Sequence, residues 1–97
     1  MAQLEWLHNW FDDHKSELDR LRIRFWCFVE NTQTDNPATT FDTESNDMIA
    51  RVILWESGAC DFESIDLSSE KPSYAHTEIN SEPELNKFLA PLLLDSR

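Results

Sequence analysis

The period of the hydrophobic pattern changes once, near the start of the chain, and that change sets what the rest can be. Leu4, Leu7, Phe11, His14, Leu18 and Leu21 recur at spacings of three and four, so residues 3–20 read as an amphipathic helix packed on a sheet. Trp6 and Trp10 widen the apolar stripe, and Asp12, Asp13, Lys15, Glu17 and Asp19 fall opposite it. At Arg22 the pattern begins to alternate: Ile23, Phe25, Cys27 and Val29 point one way, Arg22, Arg24, Trp26 and Phe28 the other. That density of β-branched and aromatic residues predicts a strand. Two aromatics on its second face predict that this face is partly covered too.

Residues 31–47 are rich in Asn, Thr and Asp and read as a long polar loop, functional or disordered, with at most a short strand around Thr39–Phe41. Ile49–Trp55 is apolar apart from Arg51 and is expected as a central strand. Glu56-Ser57-Gly58-Ala59 contains the sole glycine of the chain, placed where a hairpin needs positive φ. Cys60–Leu67 is the returning strand; Phe62 and Ile65 fall on opposite faces of a regular pleat, which predicts a bulge near Glu63–Ser64. After a turn at 68–72, Ser73–Ile79 reads as an edge strand. Ser81 and Glu84 form a capping box with Pro83 in the first turn. The helix that follows shows Leu85, Phe88, Leu89 and Leu92 on one face, and Pro91 is expected to kink or end it. The expected fold is α+β: an antiparallel sheet of about four strands with an N-terminal and a C-terminal helix packed on one face, in one domain over residues 1–97.

A chain of 97 residues holds a single core, and 40% apolar with 11% aromatic residues is too rich for a disordered acidic tail. Nineteen acids against eight bases argue against direct binding of nucleic acid or an anionic membrane. A cationic protein is the better electrostatic complement. No apolar run approaches the roughly 20 residues of a membrane span, and the opening MAQLEWLHNWFDDH has no basic n-region of a signal peptide. Cys27 and Cys60 are expected as buried thiols in a reducing, cytoplasmic setting rather than as a disulfide framework.

Chemistry is sparse. His8, His14 and His76 pair with no cysteine or carboxylate at a metal-ligand spacing, and neither CxxC nor HExxH occurs. Asp12, Asp13 and His14 project about 100° apart on a helix and do not converge on one ion. A single glycine cannot build a phosphate cradle. No catalytic residue, cofactor or metal is expected, and the protein is not read as an enzyme.

The charge itself is unevenly placed. Residues 30–84 hold thirteen acids against Arg51 and Lys71, which accounts for the whole net charge of −11. Such fields usually solubilise a surface. With so few lysines interspersed they also cost stability through self-repulsion, which a basic partner would relieve. The candidate partner-binding residues are the acids of the meander, Glu56, Asp61, Glu63, Asp66 and Glu70, with Asp42, Glu44 and Asp47 of the loop. Trp26 or Trp55 would anchor an interface if its face is open, and otherwise belongs to the core.

The segment Ala50-Arg51-Val52-Ile53-Leu54-Trp55-Glu56-Ser57-Gly58, followed by Asp61-Phe62-Glu63 and a second turn, resembles the TriTu-type immunity proteins of contact-dependent growth inhibition. The opening Leu4-Glu5-Trp6-Leu7 helix and the leucine-rich closing helix over residues 81–94 are similar as well. The resemblance implies a bacterial immunity protein that binds the C-terminal toxin domain of a large secreted effector. It implies a basic, tRNA-cleaving nuclease as that toxin, associated with elongation factor Tu, and inhibition by steric and electrostatic exclusion of RNA. The competing expectation is an acidic secretion chaperone or adaptor that wraps an effector segment as a dimer. A short chain with no extra exposed apolar face fits that reading less well.

Overall fold

The computed structural model describes residues 3–31 and 35–93. Helix α1 (Glu5–Asp13) and helix α2 (Lys15–Arg20) lead into strand β1 (Arg24–Asn31), followed by β2 (Ala38–Glu44), β3 (Met48–Trp55), β4 (Ala59–Asp66) and β5 (Pro72–Glu78). Helix α3 (Glu82–Leu89) and a 3-10 turn (Ala90–Leu93) close the chain. The strands form one antiparallel sheet in the order β1-β2-β3-β4-β5, so each is joined to its neighbour by a local connection. The α+β class holds, with five strands in place of about four.

The additional strand is β2, which extends the short strand expected around Thr39–Phe41 to seven residues within the polar loop; residues 32–34 of that loop lie outside the described residues. Its sequence, ATTFDTE, offers only Phe41 as a large apolar residue, yet Thr39, Phe41 and Thr43 are all buried. The strand is held by neighbours on both sides: it pairs with β1 from Arg24↔Glu44 to Asn31↔Ala38 and with β3 from Ala38↔Trp55 to Glu44↔Ile49. A central position satisfies its backbone groups from both edges, and the threonines fit a pleated, half-buried surface.

The core lies between one face of the sheet and the helices. Leu7, Trp10, Phe11 and Leu18 from the N-terminal helices and Leu85, Leu89 and Leu92 from the C-terminal segment meet Phe41, Ala50, Val52, Leu54 and Cys60. Phe11 stacks on Phe41 with ring centroids 4.4 Å apart and 7° between planes, and on Phe25 at 4.9 Å. Phe62 meets Phe88 of α3 edge-on at 6.1 Å. The two helices are tied by the Trp10 indole N–H, which donates to Asn86 Oδ1 at 3.0 Å.

Several local expectations are corrected. The N-terminal helix is interrupted at His14 (φ −105°, ψ 11°). There the Trp10 carbonyl oxygen accepts the His14 N–H at 3.1 Å and lies 2.8 Å from Nδ1 of the same imidazole, which caps α1 without a glycine or proline. The bulge is in β1 rather than β4: the register shifts between Cys27 and Val29, leaving Phe28 as the extra residue, whereas β4 pairs regularly on both sides. Phe62 and Ile65 simply serve opposite faces. Cys27, on the edge strand beside the bulge, is exposed; Cys60 is buried, and neither forms a disulfide.

The closing helix behaves as its sequence requires. Ser81 accepts the Glu84 N–H at 3.4 Å, Glu84 accepts the Asn80 N–H at 2.6 Å, and the α-helix ends at Leu89 before Pro91. Gly58 has φ +103°, and a Cβ there would sit 2.9 Å from the Ile79 carbonyl oxygen. Gly58→Ala is therefore strained and crowded against backbone, and is expected to lower unfolding free energy by about 1–3 kcal/mol in urea denaturation. Thr43 Oγ1 is buried without a hydrogen-bond partner among the described residues. Thr43→Val keeps the shape and removes the unsatisfied hydroxyl, so an unchanged or raised urea midpoint, by up to about 1 kcal/mol, is expected.

Candidate functional site: the uncovered sheet face

Alternation places every second side chain of the sheet away from the helices. The antiparallel registers line these residues up in rows across the strands. One row runs Trp26, Asp42, Arg51, Glu63, Tyr74 from β1 to β5; beside it runs Arg24, Glu44, Ile49, Ile65, Pro72. On the other side, Thr40, Ile53, Asp61 and His76 continue the pattern. Among the described residues no helix lies over this face, and Trp26, Phe28, Ile49, Ile65, Leu67 and Tyr74 are 42–62% exposed. The second face of β1, expected to be partly covered, leaves Trp26 and Phe28 about half exposed, and the expectation that the protein lacks an extra exposed apolar surface is corrected. Trp55 shares the face and is half-buried.

The charges on the face divide by strand. Arg51 donates to Asp42 through Nε at 2.7 Å and Nη2 at 3.1 Å, and its guanidinium lies 4.4 Å from the centroid of the Phe28 ring. The hydrogen bond to Asp42 pushes the Arg51 pKa up against the desolvation of partial burial. Arg24 pairs with Glu44. Asp42 and Glu44 are therefore neutralised locally, and the Phe28 bulge supplies a ring for the Arg51 cation. On β4 and β5, Asp61 accepts from the Tyr74 hydroxyl at 3.1 Å and from His76 Nδ1, while His76 Nε2 lies 3.4 Å from Glu78. The hydrogen bond to Asp61 raises the pKa of Tyr74 and of His76. Glu63 has no ion-pair partner among the described residues, so the β4–β5 half of the face carries the net negative charge.

The predicted site residues fall into three places. Asp42, Glu44, Asp61 and Glu63 share the uncovered face. Asp47, Asp66 and Glu70 sit together at one end of the sheet, where the Asp47 carbonyl accepts the Leu67 N–H at 2.8 Å and the Asp66 carbonyl accepts the Glu70 N–H at 2.7 Å. The Asp66 carboxylate accepts from Ser68 and Ser69, which lowers its pKa; it holds a turn. Glu56 lies at the opposite end in the β3–β4 hairpin, its N–H donated to the Pro37 carbonyl at 2.8 Å. Sequence reasoning selected the acids and omitted Arg51, His76, Phe28 and Tyr74. The alternation of β1 was the available signal for the aromatics, once its outer face is known to be open.

Cys60, at 0% exposure, has a thiol pushed up to about 12 by burial and by neighbouring Asp61. It stays protonated at neutral pH and is poorly suited to nucleophilic chemistry. Among the described residues no group of three or more His, Cys, Asp or Glu side chains is placed to hold a metal ion, and no helix is long and apolar enough to cross a membrane.

An exposed sheet face that mixes aromatic anchors with ionised side chains is suited to docking a macromolecule. Residues 5–94, nearly the whole chain, match the family described as Immunity protein TriTu, and the chain belongs to that family. It is an immunity protein, and that class binds a cognate toxin. No curated protein matches the chain.

The His76 cluster makes stability pH-dependent in a definite direction. Its folded pKa lies above the ordinary 6.5 because Asp61 and Glu78 favour the imidazolium. The stabilisation is complete below the unfolded pKa and is lost as pH rises through the raised folded value. Urea midpoints are expected to fall across that window in the native protein, and to fall less in His76→Ala.

Proposed function

We propose that this immunity protein neutralises a basic, tRNA-cleaving toxin domain at the C-terminus of a contact-dependent growth inhibition effector. In this reading it lays its acidic sheet face against the cationic surface that receives RNA. The observation that carries the reading is the exposed face on which Asp61 and Glu63 stand beside Ile65 and Tyr74, with Trp26 on the same face at β1. Aromatics supply desolvated anchors, and the acids, of which Glu63 has no ion-pair partner among the described residues, supply attraction and a fast on-rate. The protein acts without catalysis: it excludes RNA sterically and electrostatically. Elongation factor Tu joins as a third component bound through the toxin, and the complex forms in the cytoplasm, where the toxin meets its substrate. The contact residues proposed are Asp42, Glu44, Asp61 and Glu63 on the face. Asp47, Glu56, Asp66 and Glu70 form the acidic ends of the sheet, and Asp66 serves its turn first.

Capture from the source cell with this protein as bait, followed by mass spectrometry, tests the partner. Recovery of the C-terminal fragment of a large secreted protein, whose tRNA cleavage the bait suppresses in vitro, is the expected result. Recovery of an effector's N-terminal segment by a dimeric bait instead favours a secretion chaperone, for which the exposed apolar residues of the same face would provide the dimer contact.

Charge reversal tests the surface. Asp61→Lys with Glu63→Lys is expected to slow association about tenfold at low salt and to flatten its salt dependence, with circular dichroism unchanged. Unchanged rates would remove this face from the interface. Asp66→Lys, by contrast, is expected to lower stability through the Ser68–Ser69 turn and to leave association rates nearly unaltered.

A further inference from the structure

The two edges of the sheet are built differently. β1 is interrupted by the bulge at Phe28, a device that blunts an edge against further pairing. β5 has no such protection: its ladder with β4 runs without a shift from Ile65↔Pro72 to Ala59↔Glu78, it contains no lysine, and its only proline is the first residue. The Ile79 N–H donates to the Gly58 carbonyl at 2.7 Å. In an antiparallel ladder the backbone groups alternate in direction, so Thr77, Ala75 and Ser73 also turn theirs toward β4. Tyr74, His76 and Glu78 turn theirs away from β4, where no sixth strand follows among the described residues.

The two sides of this edge differ in chemistry. Toward the helices, α3 reaches β4 through Phe88 on Phe62 but leaves β5 exposed. Ser73, Ala75 and Thr77 are small there, and with Phe62, Phe88 and Pro91 they line a groove of about 630 Å³. Toward the uncovered face, Asp61, Glu63 and Glu78 gather beside the same strand. A strand added to β5 would place its alternate side chains in an apolar groove and over a cluster of acids.

We infer that β5 accepts an extended segment of the toxin as a sixth strand, by backbone pairing to Tyr74, His76 and Glu78. The segment alternates apolar residues, which enter the groove, with Lys or Arg, which lie over Asp61, Glu63 and Glu78. This rests on the immunity reading and names the surface that reading uses. Strand addition takes affinity from the backbone and specificity from alternate side chains. A second copy of this chain is the poorer occupant, because it would bring one surface of net charge −11 against another.

Amide hydrogen exchange of the full chain, read residue by residue alone and in complex with the cognate toxin domain, tests the edge directly. The Tyr74, His76 and Glu78 amides are expected to exchange at least about tenfold more slowly in the complex. His76→Pro removes one outward N–H at an edge position that tolerates proline, whereas His76→Ala removes the same side chain and keeps the N–H. The proline variant is expected to bind the toxin domain about tenfold more weakly than the alanine variant. If the toxin domain binds while these amides exchange as in the free protein and both variants bind alike, the edge is refuted and the immunity reading stands. Protection that needs no toxin and grows with protein concentration refutes it in favour of a second copy. Should His76→Pro fail to fold, the exchange pattern of the unmodified protein decides.

Discussion

Phe11 stacks on Phe41, and the orientation of the whole sheet follows from that contact. Phe11 is fully buried and Phe41 nearly so, with Phe25 packed against the same ring. Burying an aromatic side chain is worth roughly 2–3 kcal/mol, and the stack adds directional preference. Because side chains alternate along a strand, fixing Phe41 toward α1 fixes Val52 and Phe62 on that side through the register. Asp42, Arg51 and Glu63, one residue removed on each strand, must then face outward. A single helix-to-sheet contact thus settles which row is core and which is surface.

The outer face is a consequence of having helices on one side only. Five strands present two faces, and α1 and α3 cover one. The other keeps its aromatics accessible and manages its charges by local pairing on β1–β3, where Asp42 and Glu44 have guanidinium partners. On β4 and β5 the same strategy fails for want of lysine and arginine, and His76 is the sole cation-forming side chain on β5. The negative potential is therefore concentrated next to the unprotected edge.

Much of the architecture was legible because local rules and the fold agree. Ser81, Pro83 and Glu84 begin a helix by capping chemistry alone, and Gly58 marks a turn at positive φ, whereas Arg22 and Glu70 adopt positive φ without a glycine to signal it. The strand β2 was legible only as a short strand around Thr39–Phe41 inside a polar loop, not at its full length over Ala38–Glu44. ATTFDTE carries no apolar alternation, and its place in the sheet comes from pairing on both sides rather than from its own hydrophobicity. The break at His14 lacked a glycine or proline signal, being made by an imidazole beside a carbonyl. For the candidate site, the acidic segment was visible as composition, but composition cannot say that Asp66 is engaged by a turn while Glu63 stands unpaired.

The sequence by itself determined the opening and closing helices, the strands other than β2, the α+β class, the location of the negative charge and the likeness to the TriTu immunity proteins. Each is a local or additive property: period, capping pattern, turn chemistry and residue count. Only the tertiary structure decided that Trp26, Asp42, Arg51, Glu63 and Tyr74 form one row, that Cys27 is exposed, and that the bulge lies in the edge strand β1 rather than in β4. Those facts depend on register and on which face the helices cover. A period of two defines two faces without saying which one meets water.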